Sequence, residues 1–129
     1  MALDGTARET IGREIVRLQA QYYGRGPTRA KTFANGDAVV VVLEESFTPA
    51  EKTLIGRGEG AGIKDIRRRF QSAMAEEFTS VVEQATGRQV RFFTSDIDLE
   101  NDLSVEVFIL ADARTDTSGF EPDEDTTEE

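Results

Sequence analysis

The sequence of 129 residues contains no cysteine, no histidine and no tryptophan. Without thiols or imidazoles the chain cannot form a disulfide, a zinc site built from cysteine and histidine, or a catalytic triad that uses histidine. Any metal would need oxygen ligands alone, and any general acid or base would have to be a carboxylate, a lysine or a tyrosine. These absences exclude most familiar enzyme chemistries. We predict no catalytic residues, no metal ligands and no cofactor.

Long hydrophobic runs are also missing. The longest apolar stretch, residues 38–43, has six residues, whereas a helix needs about 20 to cross a bilayer. The N-terminus lacks the apolar segment of a signal peptide. We therefore expect a cytoplasmic protein that does not span the membrane and that reaches a membrane surface through a protein partner.

Basic charge is scarce and unevenly placed, with 15 basic and 25 acidic residues and a formal charge of -10. Residues 112–129 hold eight of the acids and one base. This segment has too few apolar side chains to offset the entropy of ordering its backbone. We predict one domain over residues 1–111 and a disordered acidic tail over residues 112–129. The acidic balance also repels phosphates, so nucleic acid is not an expected partner.

The first half of the domain has the pattern of a helix followed by a β-hairpin. Apolar residues recur every three or four positions up to Tyr23, and a glycine–proline break follows. Two β-prone segments flank Asn35-Gly36, a pair that favours a type I′ turn with positive φ at both residues. The predicted elements are a helix from Asp4 or Thr6 to Tyr23 and strands at residues 28–33 and 38–43.

The second half repeats this order with a longer helix. Residues 48–51 have the form of a capping box with proline at the first helical position, which predicts a short helix. Four glycines within residues 56–62 predict a joint, since each would cost up to about 1 kcal/mol inside a helix. The remaining predicted elements are a long helix over residues 63–86, capped by Gly87, and strands at residues 88–97 and 103–110.

Together the two halves predict an α+β fold in the order α-β-β-α-β-β, with a four-stranded antiparallel sheet and helices packed on it. Residues 38–43 and 107–110 are apolar on both faces, whereas a strand with one wet face alternates between apolar and polar side chains. Either the helices divide between the two faces of a monomer, or a second subunit covers one face. We predict the second arrangement, a homodimer.

The densest cluster of residues suited to binding follows the first helix. A Gly24-Arg25-Gly26 corner can direct backbone N–H groups toward one point, and the Arg25 side chain offers a fork that matches carboxylate, phosphate or bicarbonate. The alternative is a helix stop in which Arg25 pairs with a nearby carboxylate. A basic group follows at the start of the long helix and consists of Lys64, Arg67, Arg68 and Arg69. The predicted ligand-binding residues are Tyr23, Gly24, Arg25, Gly26, Thr28 and, from this basic group, Arg68 alone.

Two other motifs favour structural roles. The glycine segment at residues 56–62 lacks the Lys-Ser/Thr ending of a phosphate loop, and no predicted strand precedes it. Residues 96–102 alternate acidic side chains as a calcium loop does, but they lack the glycine and the glutamate that such a loop requires. We predict a flexible joint for the first segment and a polar hairpin turn for the second.

Several segments resemble the MpsC family, and the stretch Tyr-Gly-Arg-Gly-Pro-Thr at residues 23–28 is the most specific of them. The resemblance covers roughly residues 8 to 111 and rests on residues 15–17, 22–32, 41–44, 51–54, 68–71 and 86–90. The family name implies an accessory part in a sodium-translocating system that generates a membrane potential and whose other members are membrane proteins linked to bicarbonate uptake. The resemblance implies no catalytic residues.

From the residues and the resemblance together, we expect a non-enzymatic, cytoplasmic accessory or regulatory subunit of a membrane ion or bicarbonate transport system. It would form a homodimer, contact a membrane transport protein and bind a small anion at the Gly24-Arg25-Gly26 corner. Two alternatives stay open. One is a structural adaptor without a ligand, and the other is a small-molecule enzyme that uses Tyr23, Arg25 and a carboxylate such as Glu44.

Overall fold

Three helices and four strands follow one another along residues 4–112, the part of the chain that the computed structural model describes. Their order is the predicted one, and the α+β fold with a four-stranded antiparallel sheet is confirmed. The predicted acidic tail lies outside the described residues from residue 113 onward. The elements are α1 (Gly5–Tyr23), β1 (Arg29–Asn35), β2 (Ala38–Glu44), α2 (Pro49–Gly56), α3 (Gly60–Thr86), β3 (Val90–Asp98) and β4 (Leu103–Leu110).

The ends of α1 and α2 follow the capping signals of the sequence. The side chain of Asp4 accepts a hydrogen bond of 2.8 Å from the Ala7 N–H and so begins α1. Gly24 ends this helix in the left-handed conformation, with φ of 85°. The capping box of α2 forms as predicted, since the side chains of Thr48 and Glu51 each accept from the other's backbone N–H.

The long helix α3 begins at Gly60, three residues before the predicted start at residue 63. Glycine disfavours a helix by only about 1 kcal/mol, and burial of Ile63 in the first turn outweighs this preference. The joint between α2 and α3 therefore shrinks to residues 57–59, where Gly58 has φ of 87°. At the other end, Gly87 caps α3 with φ of 71°, as predicted.

The turn of the first hairpin differs from the predicted type. Asn35 pairs with Ala38, so Gly36 and Asp37 are the two central residues of the turn. Gly36 has φ of 62°, whereas neither Asn35 nor Asp37 has a positive φ. Positive φ at the first central residue alone is the pattern of a type II′ turn. The prediction of a type I′ turn was wrong because the strand pairing extends through Asn35.

The sheet has the strand order β1-β2-β4-β3, and every neighbouring pair is antiparallel. The two α-β-β halves therefore meet through their second strands, which places β2 and β4 at the centre. In this register Val41 lies opposite Glu106 and Val40 lies opposite Val107. Strands β1 and β3 form the two opposite edges of the sheet.

Both long helices pack on the same face of the sheet, with α1 over β1 and α3 over β3. The alternative in which the helices divide between the two faces is therefore wrong. Helix α2 packs on α3. The buried core lies between the helices and this inner face and consists of Ile11, Ile15, Leu18, Val39, Val41, Leu43, Met74, Phe78, Val82, Phe108 and Leu110.

The opposite side of the sheet, which we call the outer face, carries the alternate residues of each strand. Within residues 4–112 no helix packs on it, because both long helices lie against the inner face. Its central residues on β2 and β4 are half-buried by their neighbours, and its edge residues are exposed. Its apolar members are Phe33, Ala38, Val40, Val42, Phe92, Leu103, Val105, Val107 and Ile109.

Candidate functional site

A buried arginine joins α3 to α2 beneath the molecular surface. The Arg67 side chain is 1% exposed, and its Nε and Nη2 atoms donate to the two carboxylate oxygens of Glu51 at 2.8 Å and 2.6 Å. Nη2 also donates to the Ser46 carbonyl at 3.0 Å. This paired geometry satisfies a charge that would otherwise be costly to bury. We call Arg67, Glu51, Ser46, Tyr23 and Phe47 the Arg67 cluster.

Two opposing effects set the pKa of the Glu51 carboxyl group. Burial alone would raise its pKa, but the hydrogen bonds from Arg67 and from the backbone of Thr48 lower the pKa below its ordinary value. Glu51 therefore has two structural tasks, since one oxygen caps α2 and both oxygens hold Arg67. The lowered pKa keeps Glu51 ionised at neutral pH.

Aromatic rings surround the guanidinium. The Arg67 Cζ atom lies 3.8 Å from the ring centroid of Tyr23 and 5.0 Å from that of Phe47, distances that allow cation–π attraction. The Tyr23 ring also contacts the Phe70 ring in a tilted arrangement, with the two ring centroids 4.9 Å apart. Burial raises the pKa of Tyr23 to about 12, so the phenol stays neutral. Its hydroxyl is buried and has no hydrogen-bond partner among the described residues.

A second carboxyl group is buried on the inner face of β4. Glu106 is 0% exposed, and neither of its carboxylate oxygens has a hydrogen-bond partner within residues 4–112. Burial raises its pKa to about 7, although the neighbouring Ser95 hydroxyl and the Arg67 charge act in the opposite direction. Near neutral pH, Glu106 can therefore gain or lose a proton inside the core.

The loop that carries Ser46 and Phe47 is fixed by the turn between β3 and β4. The Asp102 side chain accepts from the N–H groups of Ser46 at 2.9 Å and Phe47 at 3.2 Å, and its carbonyl accepts from the Glu45 N–H at 2.9 Å. Glu45 and Asp102 have φ of 61° and 49°, an uncommon conformation for residues other than glycine. These contacts hold the Ser46 carbonyl where Arg67 can reach it.

The predicted anion corner lies directly beside the Arg67 cluster. Arg25 donates from Nη1 to the Phe47 carbonyl at 2.7 Å, so its observed partner is a main-chain carbonyl rather than a carboxylate. Thr28 donates its N–H to the Glu44 carbonyl at 2.9 Å, and Gly26 lies so close to Val16 that an added Cβ would come within 3.2 Å of it. The corner is therefore anchored to both β2 and α1.

The six predicted site residues do not all lie in one place. Tyr23, Gly24, Arg25, Gly26 and Thr28 follow one another at the end of α1, and Tyr23 belongs to the Arg67 cluster. Arg68 is exposed on α3, and its neighbour Arg67 is the one that turns inward. The fold thus brings five of the predicted residues together and places Arg68 on the surface.

Sequence reasoning named Arg67 only as one of a basic group and did not single out Glu106. Both positions carried a signal. Arg67 lies on the buried stripe of α3 that also holds Ile63, Gln71 and Met74, where a basic residue is unexpected. Glu106 alternates in phase with Phe108 and Leu110, so a carboxyl group interrupts a buried strand face.

Two surface grooves lie away from this cluster. One of about 560 Å³ runs between α1 and β1 and is lined partly by Glu9, Gly12 and Thr32. Another of about 550 Å³ runs between α1 and α3 beside Glu77 and Gln84. Both are open and mix polar with apolar side chains.

Two features of the described residues bear on function. No group of three or more acidic side chains within residues 4–112 is placed to hold a metal ion. Across the same residues, no helix combines the length and the apolar character that crossing a membrane requires.

Comparison with known proteins gives two matches. The family model described as "Na+-translocating membrane potential-generating system (MpsC)" matches residues 4–112. The curated protein "Uncharacterized protein YbcI" of Bacillus subtilis (strain 168) is 30% identical over 107 residues, which cover 82% of this chain and 86% of that protein. No solved structure matches this chain.

Proposed function

Because the chain belongs to the MpsC family, we propose that it is a non-catalytic accessory or regulatory subunit of a membrane system that moves sodium and generates a membrane potential. In this role it would work from the cytoplasm and bind a membrane transport protein. The observation that carries the proposal is the family match, which spans all the described residues from 4 to 112. The match thus includes both the Arg67 cluster and the neighbouring corner.

Removal of the chain from its own cell tests this role. Cells that lack it should develop a smaller sodium-dependent membrane potential, as reported by a voltage-sensitive dye after a sodium pulse. Re-expression of the wild-type chain should restore the signal. An unchanged potential in the deleted cells, at equal growth and equal sodium gradient, would refute the proposal.

The corner at the end of α1 is the proposed sensing site of this subunit, with Tyr23, Gly24, Arg25, Gly26 and Thr28 as its residues. Arg25 is half-buried and uses Nη1 for the Phe47 carbonyl. A guanidinium has five N–H donors, so this bond fixes the side chain and leaves further donors for a ligand. A small planar or tetrahedral anion, such as bicarbonate or phosphate, suits such a fork.

Calorimetry separates the anion site from the two alternatives. Bicarbonate, phosphate and chloride are titrated into the wild type, Arg25→Ala and Arg25→Lys. Arg69→Ala is the matched control, since Arg69 is an exposed arginine that forms an ion pair with Asp65 on its own helix, at 3.3 Å. Anion binding that Arg25→Ala abolishes and Arg69→Ala preserves supports the site.

The other outcomes are equally informative. Weaker binding by Arg25→Lys would show that the planar fork matters beyond its charge. No binding of any anion to the wild type would favour a structural adaptor without a ligand. Turnover of a bound compound would overturn the non-catalytic role and favour the enzyme alternative.

A further inference from the structure

The outer face of the sheet is apolar at its centre, although no helix of the described residues packs on it. Val40 and Val42 on β2 lie beside Val107 and Val105 on β4. Toward one end of the face, Phe33 and Phe92 are 54% and 53% exposed. A continuous apolar patch of this kind is uncommon on a monomer and marks an interaction surface.

The two edges of this face carry opposite charges. Lys31 on β1 pairs with Val42, Val42 with Val105, and Val105 with Asp96 on β3, so all four side chains form one row across the sheet. In the next row, Arg29 on β1 pairs with Glu44, Glu44 with Leu103, and Leu103 with Asp98 on β3. The basic edge and the acidic edge therefore lie level with each other.

These edge charges cannot neutralise each other within one chain. Strands lie about 4.8 Å apart, so three strand spacings place Lys31 about 14 Å from Asp96. Lys31 makes no ion pair among the described residues, and Asp96 accepts only from the N–H of Ile97 at 2.8 Å. Arg29 already pairs with Glu44 at 3.1 Å. The unused pair on this face is therefore Lys31 and Asp96.

We propose that a second copy of this chain packs on the outer face about a two-fold axis parallel to the strands. Rotation about that axis places β1 of one copy over β3 of the other, at the same level along the strands. Lys31 then lies opposite Asp96 of the second copy, and Val40 lies opposite its Val107. The face is its own complement, as a two-fold interface requires.

The alternative two-fold axis, perpendicular to the strands, is disfavoured by charge. It would place β1 over β1 and β3 over β3, so that acidic edge meets acidic edge and basic edge meets basic edge. Like charges across an interface cost affinity and suppress that arrangement. The charge pattern thus selects one orientation from two that would bury the same apolar side chains.

The size of the face suits such an interface. Four strands about 4.8 Å apart and about seven residues long span an area of roughly 19 Å by 23 Å, which gives on the order of 900 Å² for the two copies in flat projection. Because side chains project from the sheet, the accessible surface that is buried exceeds this flat projection and approaches the minimum of about 1,000 Å² for a specific interface. Two sheets packed face to face form a core about 10 Å thick, as in β-sandwiches.

Charge reversal tests the orientation directly. Multi-angle light scattering and sedimentation equilibrium at micromolar concentration should show the wild type as a dimer. Lys31→Glu and Asp96→Lys should each raise the dimer dissociation constant about tenfold or more, because each places like charges across the interface. The double variant Lys31→Glu, Asp96→Lys should restore it to within a few-fold of the wild type.

Restoration in the double variant cannot come from a pair within the chain, because three strand spacings separate the two positions by about 14 Å. Both positions are exposed at strand edges, so the variants should fold, and far-UV circular dichroism checks this. A monomeric wild type would overturn the proposal. A double variant as weak as the single ones would overturn the proposed orientation.

The apolar centre has its own test. Val40→Lys should give a monomer, because the lysine would be buried opposite the second copy's Val107. The matched control is Ile66→Lys on α3, where Ile66 is 51% exposed on the helical side. A dimer that survives Val40→Lys, or that is lost equally in Ile66→Lys, would contradict packing through the outer face.

Discussion

Replacement of Glu106 by glutamine should change how stability depends on pH. Burial raises the pKa of Glu106 from its ordinary 4.5 to about 7 in the folded chain. Between these two values the unfolded chain has released the proton while the folded chain still holds it. Unfolding therefore becomes more favourable as pH rises through this interval, by about 1.4 kcal/mol per pH unit.

The accumulated effect is roughly 3 kcal/mol, since the interval spans about 2.5 pH units. Below pH 4.5 the group is protonated in both states, so it contributes no pH dependence there. Above pH 7 it is ionised in both states, and the full loss of stability persists. A loss of this size is a substantial part of the 5 to 15 kcal/mol typical of a small domain.

Glu106→Gln keeps the shape of the neutral side chain and removes the titration. Urea unfolding followed by far-UV circular dichroism at pH 5, 6, 7 and 8 gives the free energy of unfolding for both chains. The variant should gain on the wild type between pH 5 and pH 7 and level off by pH 8, for a total gain of roughly 2 to 3 kcal/mol. The lowered pKa of Glu51 affects both chains equally and cancels in the difference.

The comparison of Glu106→Gln with the wild type requires two controls. Protein concentration is held constant, because self-association makes stability depend on concentration. Glu76→Gln, which removes an exposed carboxylate from α3, is the matched control. A difference between Glu106→Gln and the wild type that stays flat from pH 5 to pH 8 would refute the inference that burial keeps Glu106 protonated.

Three further changes have expected effects on the free energy of unfolding, each measured by urea titration at pH 7. Arg67→Ala should cost about 3 kcal/mol or more, because it leaves Glu51 as an unpaired carboxylate below the surface; a loss below 1 kcal/mol would contradict this. Gly62→Ala should stabilise α3 by about 1 kcal/mol, since its added methyl group meets open space. Gly87→Ala should destabilise the chain by a similar amount, because Gly87 has φ of 71°. Equal effects of the two substitutions would show that backbone conformation does not decide the sign of the change. Thr48→Ala should cost about 1 kcal/mol through loss of the α2 cap, and no loss would mean that Glu51 alone holds that helix end.

The secondary structure was predictable where a local signal sets it. Asp4, Gly24 and Gly87 act through contacts within a few residues of themselves, so the helix ends they define could be predicted from the sequence. The start of α3 at Gly60 could not, because the burial of Ile63 in the folded domain outweighs the local preference of glycine. The turn at Gly36 differed for a similar reason, since pairing with β2 sets its register.

The candidate site was only partly predictable because it depends on contacts between distant segments. The corner at Arg25 has a recognisable local sequence. The pairing of Arg67 with Glu51 requires α2 to fold back on α3, and the isolation of Glu106 depends on which face of the sheet the helices cover. An amphipathic pattern shows that a helix has a buried side, but it does not show which face of the sheet it will choose.

The placement of both long helices on one face sets the valency of any assembly built through the other. Two copies joined at their sheets would display their helical layers in opposite directions, each with an exposed Ile66 and an exposed Phe70. Such an assembly would be bivalent for any partner that binds the helical side. Each of its two sides could then hold one copy of the proposed partner, and a partner that is itself multivalent would bind with a gain in avidity.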